Sequence, residues 1–174
     1  MLKNNKGTED NRVRRLDYSI QLNKVMYERL LNDEEITLFS PHDVPELYDS
    51  FYADQEKFQE LYEKYERKTS IKKKKIKAME LFSALIKERA ETGRIYIMNV
   101  DHANTHSSFK DPVYMSNLCQ EITLPTKPLQ HIDDPDGEIA LCILSAINVG
   151  VLKDLEELED LCDLAVRGLD EIID

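Results

Sequence analysis

The residues that decide the interpretation of this chain run from 116 to 150. They begin with Ser-Asn-Leu-Cys-Gln-Glu-Ile at 116–122 and end with Gly-Glu-Ile-Ala-Leu-Cys-Ile-Leu-Ser-Ala-Ile-Asn-Val-Gly at 137–150. Asn117, Cys119 and Glu121 occupy every second position, so in an extended segment their side chains would point the same way, roughly 6–7 Å apart. An amide, a thiol and a carboxylate would then face one substrate. On spacing alone, an ordinary half-buried strand with a core cysteine remains an alternative.

The second half of this stretch is apolar at almost every position and carries another thiol, Cys142. A short run that is apolar on both faces is typical of a strand buried on both sides, as in α/β proteins. We therefore predict a buried strand over residues 138–149. A cysteine within such a strand is ordinarily a structural thiol.

The composition of the chain limits its class. Its 174 residues have a formal net charge of −11, which argues against nucleic acid or an anionic membrane as the main partner. The sequence contains no apolar run near the ~18 residues that span a bilayer. Three cysteines fit a reducing cytosol better than a disulfide scaffold. We expect one acidic, cytoplasmic α/β segment, with residues 1–174 forming a single domain or part of one.

Hydrophobic periodicity and turn residues predict an alternation of strands and helices. Strands are expected at residues 17–21, 36–39 and 94–98, and helices at 23–31, 44–50, 54–66, 70–91 and 153–173. Asn23 and Ser70 are the predicted N-caps, and Gly93 ends the long helix. Residues 101–113 are predicted to be a polar loop, and residues 1–15 a basic loop that frays.

Four further features favour structural roles. Cys162 falls on the predicted inner stripe of the last helix and is expected in the core. His102 and His106 have zinc-like spacing but lack the Glu of the helical zinc motif, and no helix is predicted there. Residues 133–137 are expected to form a turn rather than a calcium loop. Residues 72–75, all lysine, are expected to form a solvated helix face.

At the 116–150 stretch the sequence resembles a known family. Asn-Leu-Cys-x-Glu-Ile, Leu-Pro-Thr-Lys-Pro and Gly-Glu-Ile-Ala-Leu-Cys-x-Leu-Ser-Ala-x-Asn are similar to the catalytic core of the large (α) subunit of class I ribonucleotide reductase. The likeness extends to Phe-Ser-Pro-His-Asp-Val-Pro at 39–45 and to the block at 94–106. It resembles the T-even bacteriophage and enterobacterial type in particular. The family's subunit is several times longer, so the resemblance implies an internal piece of it.

The resemblance implies a fold and a set of roles. The fold would be part of a ten-stranded α/β barrel, with the radical cysteine on a finger loop inside it. Cys119 would be the transient thiyl radical that takes the 3′ hydrogen of the ribose. Glu121 would be the general base for the 3′ hydroxyl, and Asn117, with Ser116, would hold the substrate. Cys142 would belong to a redox disulfide whose partner is absent from this chain.

The resemblance also implies partners. These are the remaining segments of the large subunit, a small (β) subunit whose metal supplies the radical, thioredoxin or glutaredoxin, and a ribonucleoside diphosphate. The segment itself would bind no cofactor or metal, and ATP and dNTP effectors would bind elsewhere in the full subunit. The alternatives are a segment of a cobalamin-dependent class II reductase, or a non-catalytic remnant of a split or truncated gene. A glycyl-radical reductase is disfavoured because that class lacks the Glu121 equivalent. Since part of a barrel leaves strand edges exposed, we expect the isolated chain to be poorly soluble.

Overall fold

The computed structural model describes residues 16–173, and within that range it contains mixed α/β structure without a closed barrel. The chain divides into two compact units, Met1–Glu138 and Ile139–Asp174. The basic loop predicted at residues 1–15 lies outside the described residues. The strands are β1 (Tyr18–Leu22), β2 (Glu35–Phe39), β3 (Lys73–Lys77) and β4 (Ile95–Asn99). The helices are α1 (Lys24–Leu31), α2 (Pro45–Ala53), α3 (Gln55–Arg67), α4 (Ala78–Thr92), α5 (Val100–Thr105) and α6 (Glu157–Ile173).

The four strands pair as two separate two-stranded sheets, both in the first unit. β1 and β4 are parallel, with Tyr18 opposite Ile95, whereas β2 and β3 are antiparallel, with Ile36 opposite Ile76. The parallel pair requires a long crossover, and α1 to α4 lie within it. The strands predicted at residues 17–21, 36–39 and 94–98 are confirmed with small shifts of their ends. The structure therefore has the partial α/β character that the resemblance implies.

Buried side chains from several elements form the core of the first unit. One cluster joins both sheets to α4 and contains Tyr18, Leu22, Ile36, Ala78, Phe82, Leu85 and Ile95. A second joins α1, α2 and α3 and contains Val25, Val44, Leu47, Phe58, Tyr62 and Tyr65. The third cluster consists of Tyr52, Met98, Val100 and Val113 and extends the core toward the 116–122 stretch. Helices α1, α2 and α3 each pack an apolar stripe into this core.

The long helix predicted from Ser70 begins eight residues later, at Ala78, so that prediction is wrong at its start. Residues 73–77 form β3 instead, because Ile76 pairs with Ile36 and packs on the core. Lys73 adds a second reason. Its ammonium group donates to three main-chain carbonyls at the end of α3, at 3.2, 2.6 and 2.7 Å. Tertiary pairing has overridden a helical pattern that is locally acceptable. The helix ends as predicted, at Gly93 in the left-handed conformation.

Helix α5 occupies a region that was predicted to be a polar loop, and that prediction is wrong for residues 101–105. The polar side chains make the bonds that hold it. The Asp101 carboxylate accepts from the Lys24 N–H at 2.8 Å, capping α1. Asn104 Oδ1 accepts from the Val113 N–H at 2.7 Å, and Asn104 Nδ2 donates to the Val113 carbonyl at 3.2 Å.

Asn23 occupies the N-cap position of α1, but its side chain makes no capping bond and donates to Gln55 at 2.8 Å.

The second unit contains no strand among its described residues, so the buried strand predicted at 138–149 is wrong in this structure. Within the described part of this run only Glu138, at its start, forms a β-bridge, an isolated one to Lys127. Helix α6 confirms the predicted amphipathic helix from Glu157 onward. Its predicted inner stripe is at most half-buried, and Leu155 and Leu164 are exposed. Over the residues described, no helix is long and apolar enough to span a membrane.

Candidate active-site loop

Residues 117–120 form a turn, so the extended geometry predicted for Asn117, Cys119 and Glu121 is wrong. The backbone N–H of Gln120 donates to the Asn117 carbonyl at 3.2 Å, and the Gln120 side-chain Nε2 donates to the same oxygen at 2.8 Å. Gln120 has a φ of 68°, in the left-handed region. A left-handed residue between Cys119 and Glu121 breaks the alternation on which the sequence argument depended. The three side chains share a loop rather than one face of a strand.

Polar side chains close the base of this loop. Ser116 Oγ lies 2.5 Å from the Ile122 carbonyl, to which it donates, and 3.1 Å from Asn117 Oδ1. Asn117 Oδ1 also accepts from the Ile122 N–H at 3.1 Å. These bonds join the two ends of the loop across five residues, with Cys119 near its tip. Ser116 and Asn117 therefore have a structural role here, besides any contact with substrate.

The chemically reactive groups of the loop are open to solvent. Asn117, Cys119 and Glu121 are exposed, whereas Ser116 is half-buried. A substrate could reach the thiol and the carboxylate from outside this unit. Protection of a reactive thiol from water would then have to come from chain segments other than those described.

Tyr96 on β4 is a neighbour of Cys119 that the sequence reasoning missed. The pKa of the Tyr96 hydroxyl is raised, first by the nearby Cys119 charge, then by burial and by Asp17, and its hydrogen bond with Cys119 adds to the rise. The Arg89 guanidinium, 6.0 Å from the Tyr96 ring centroid, acts in the opposite direction. Arg89 is itself held by donation to the carbonyl of Ile95. Tyr96 lies within the 94–106 block of the resemblance, but its spacing does not point to Cys119.

All three cysteines are free thiols and exposed. Cys142 is exposed and lies in the second unit, whose described residues form no strand. Its predicted burial in a strand is therefore wrong. Cys162 lies on α6 and is also exposed, so its predicted place in the core is wrong as well. The structure thus leaves the redox role of Cys142 as a prediction. Cys142 could lie in a core only if other residues covered the apolar run around it.

His102 and His106 lie on and just after α5, contrary to the prediction that no helix occurs there. Their ring centroids are 5.9 Å apart, and the Nδ1 atom of His106 lies 3.0 Å from the His102 carbonyl oxygen. Within residues 16–173, no group of three or more His, Cys, Asp or Glu side chains is arranged to hold a metal ion. One turn of helix accounts for the closeness of the two histidine rings.

A cavity of about 290 Å³ lies between β1, β2, α2 and α3. Its lining is almost entirely apolar and includes Leu22, Met26, Ile36, Phe39 and Phe58. None of Ser116, Asn117, Cys119 or Glu121 lines it. A ribose needs hydroxyl partners, so this cavity does not fit the polar substrate that the loop predicts.

Comparison with known proteins identifies the family. The model of the ribonucleotide reductase barrel domain matches residues 1–174. The chain belongs to the ribonucleotide reductase family. It is 64% identical to the ribonucleoside-diphosphate reductase subunit alpha of Haemophilus influenzae over 177 residues, which cover all of this chain and 23% of that protein.

Two further relatives of this ribonucleotide reductase segment agree with the resemblance. The subunit alpha of Enterobacteria phage T4 is 46% identical over 180 residues, covering all of this chain and 24% of that protein. The reductase 1 subunit alpha of Escherichia coli is 64% identical over 132 residues, covering 74% of this chain and 17% of that protein. The chain therefore spans about a quarter or less of these relatives. The likeness to phage and enterobacterial large subunits is confirmed.

Proposed function

We propose that this chain is the catalytic-core segment of a ribonucleoside-diphosphate reductase large subunit. The observation that carries the proposal is Cys119, exposed near the tip of a closed loop between Asn117 and Glu121, in a chain that matches the barrel-domain model throughout. The segment would convert ribonucleotides to 2′-deoxyribonucleotides for DNA synthesis. It would act only when completed by the rest of the subunit.

Cys119 would carry the hydrogen-atom chemistry. As a thiyl radical, it takes the hydrogen atom from C3′ of the ribose, which forms an S–H bond and leaves a carbon radical. The 2′ hydroxyl then leaves as water with a proton from the thiol pair that supplies the reduction. The same pair delivers a second proton and two electrons, so that C2′ gains a hydrogen and the pair becomes a disulfide. The hydrogen atom finally returns from Cys119 to C3′, which restores the thiyl radical. An exposed thiol near the tip of a loop suits this role, because the sulfur must approach one carbon closely.

Glu121 and Asn117 would activate and orient the ribose. The Glu121 carboxylate would accept the proton of the 3′ hydroxyl, which requires hydrogen-bond reach between the two groups. The Oδ1 atom of Asn117 is engaged by the loop backbone, while its Nδ2 group makes no hydrogen bond to another described residue. That N–H₂ group would donate to a ribose hydroxyl. Ser116, bonded to Ile122 and Asn117, would support this contact from the base of the loop.

The two electrons of the reduction would come from a pair of thiols that becomes a disulfide. Cys142 would be one member, and its partner would lie in a segment of the subunit outside this chain. Thioredoxin or glutaredoxin would restore the dithiol. The radical would be delivered by a metal-containing small subunit, and nucleotide effectors would bind elsewhere in the large subunit. We place the assembled enzyme in the cytoplasm, or in the host cytoplasm for a phage protein.

Co-expression with the missing segments and a small subunit tests the proposal. We expect reduction of CDP to dCDP by the assembled enzyme. Glu121→Gln should lower kcat by about 10²–10⁴-fold, the range for loss of a general base. Asn117→Ala should raise KM and lower kcat. Absence of turnover, in an assay where an unsplit relative is active, would instead support a non-catalytic remnant.

A further inference from the structure

Gln120 adopts a backbone conformation that is unusual for its residue type. Its φ of 68° is positive, and among the described residues other than glycine only Asp33 shares this property. A Cβ atom disfavours the left-handed region, so the surroundings must hold Gln120 there. They do so through one acceptor: the Asn117 carbonyl receives both the backbone N–H and the side-chain Nε2 of Gln120.

The backbone conformation of Gln120 determines the directions of the neighbouring Cys119 and Glu121 side chains. With an extended residue at 120, Cys119 and Glu121 would point the same way, roughly 6–7 Å apart. The left-handed residue replaces that arrangement with a turn. The base of the loop is fixed by the bonds among Ser116, Asn117 and Ile122. With both ends of the loop held, the backbone at position 120 sets the direction of Glu121 relative to Cys119.

We propose that Gln120 is a positioning residue, which holds a left-handed turn so that the Cys119 thiol and the Glu121 carboxylate address one ribose. The inference rests on the proposed function for the reaction that it serves. The side chain of Gln120 is bonded to the Asn117 carbonyl and is not proposed to contact the reacting atoms of the ribose or the Glu121 carboxylate. Its backbone angle carries most of the effect, and the side-chain bond to Asn117 reinforces that angle.

Three substitutions separate the backbone from the side chain. Gln120→Gly permits a positive φ without strain, Gln120→Ala tolerates it poorly, and Gln120→Val opposes it because its Cβ is branched. In the assembled enzyme we expect kcat for Gln120→Gly within about threefold of wild type, and for Gln120→Val a loss of about tenfold or more. Gln120→Ala should fall between them. KM should change less than about twofold, because the groups proposed to hold the substrate are intact.

Gln130→Val is the matched control. Gln130 lies in another exposed loop of the same unit, its φ is not positive, and its hydrogen bond to Asp134 uses the backbone N–H. This variant should keep both kcat and KM. Equal losses in Gln120→Gly and Gln120→Val would overturn the backbone argument, as would a Gln120→Val variant as active as wild type.

A second readout does not depend on turnover. The alkylation rate of Cys119 by iodoacetamide in the assembled enzyme, measured by peptide mass spectrometry, reports where the thiol lies. It should change by at least about threefold in Gln120→Val and stay unchanged in Gln120→Gly and Gln130→Val. Failure of the proposed function would abolish turnover in the wild type and leave this pattern intact. An unchanged rate in Gln120→Val would overturn the positioning role itself.

Discussion

The apolar segment at the start of the second unit should make the isolated chain self-associate. Five of its side chains are exposed between 58% and 79%: Ile139, Leu141, Leu144, Val149 and Val151. In a barrel these residues would lie under neighbouring strands, but the described part of the second unit contains no strand. The perturbation that tests this is the double variant Leu141→Lys with Leu144→Lys.

The expected strength follows from these exposed side chains. Burying one such side chain fully stabilises by about 1.5–3 kcal/mol, so at the observed exposures each would gain about 1–2 kcal/mol. Two copies that cover all five residues would gain about 10–20 kcal/mol together. The loss of free motion on association costs about 4–15 kcal/mol, which leaves about 5 kcal/mol at the middle of both ranges. That corresponds to a dissociation constant on the order of 0.1 mM.

Replacing two of the five side chains removes about two fifths of that gain, roughly 6 kcal/mol per pair, and should abolish association. Sedimentation velocity at about 10 to 500 μM, a range that brackets this dissociation constant, would measure it. The control is Ser145→Lys with Ala146→Lys, which adds the same charge at exposed positions and keeps all five apolar residues. A wild-type chain that stays monomeric over this range, with a cooperative melt, would refute the reasoning.

Three further predictions concern the first unit. The Tyr62 hydroxyl bonds to the buried N–H and C=O of Thr37 at 2.7 and 2.9 Å. Tyr62→Phe should therefore speed hydrogen exchange of the Thr37 amide by about 10–100-fold, and Tyr65→Phe should not. Lys73→Met removes the ammonium that holds the end of α3, so it should lower the free energy of unfolding, measured in urea, by about 1–3 kcal/mol. The control Lys74→Met, at an exposed position, should lower it by less than ~0.5 kcal/mol. Burial raises the pKa of Tyr62 to about 12. The folded state therefore binds more protons than the unfolded state between about pH 10 and 12, so stability should fall over that window, and less steeply in Tyr62→Phe.

The sequence predicted the first unit well where local pattern and tertiary packing agree. The strands at 17–21, 36–39 and 94–98 and the helices around α1, α2 and α3 are confirmed, because each buries the apolar stripe that its periodicity defines. The start of α4 was wrong, because Lys73 and Ile76 gain more from the end of α3 and from β2 than from helix. That gain depends on residues distant in sequence.

The residues of the candidate active-site loop were selected from the sequence, but its shape was not predicted. Three alternating positions indicated a strand, and the left-handed Gln120 replaced it with a turn. No residue-type signal marks that angle, since glutamine rarely adopts it. Tyr96 was missed because it contacts Cys119 only through folding. The strand predicted at 138–149 failed for another reason. Its apolar pattern describes a strand that pairs with neighbours, and within the described chain residues 139–149 belong to no sheet.

The most direct test of the central claim is dCDP formation by the assembled enzyme carrying Cys119→Ser. The exposed thiol of Cys162 provides the matched control, as Cys162→Ser changes the same atoms at a position that the proposed mechanism does not use. We predict that Cys119→Ser abolishes turnover and that Cys162→Ser retains it. Turnover that survives Cys119→Ser would contradict the assignment of the radical to Cys119 and, with it, the proposed mechanism.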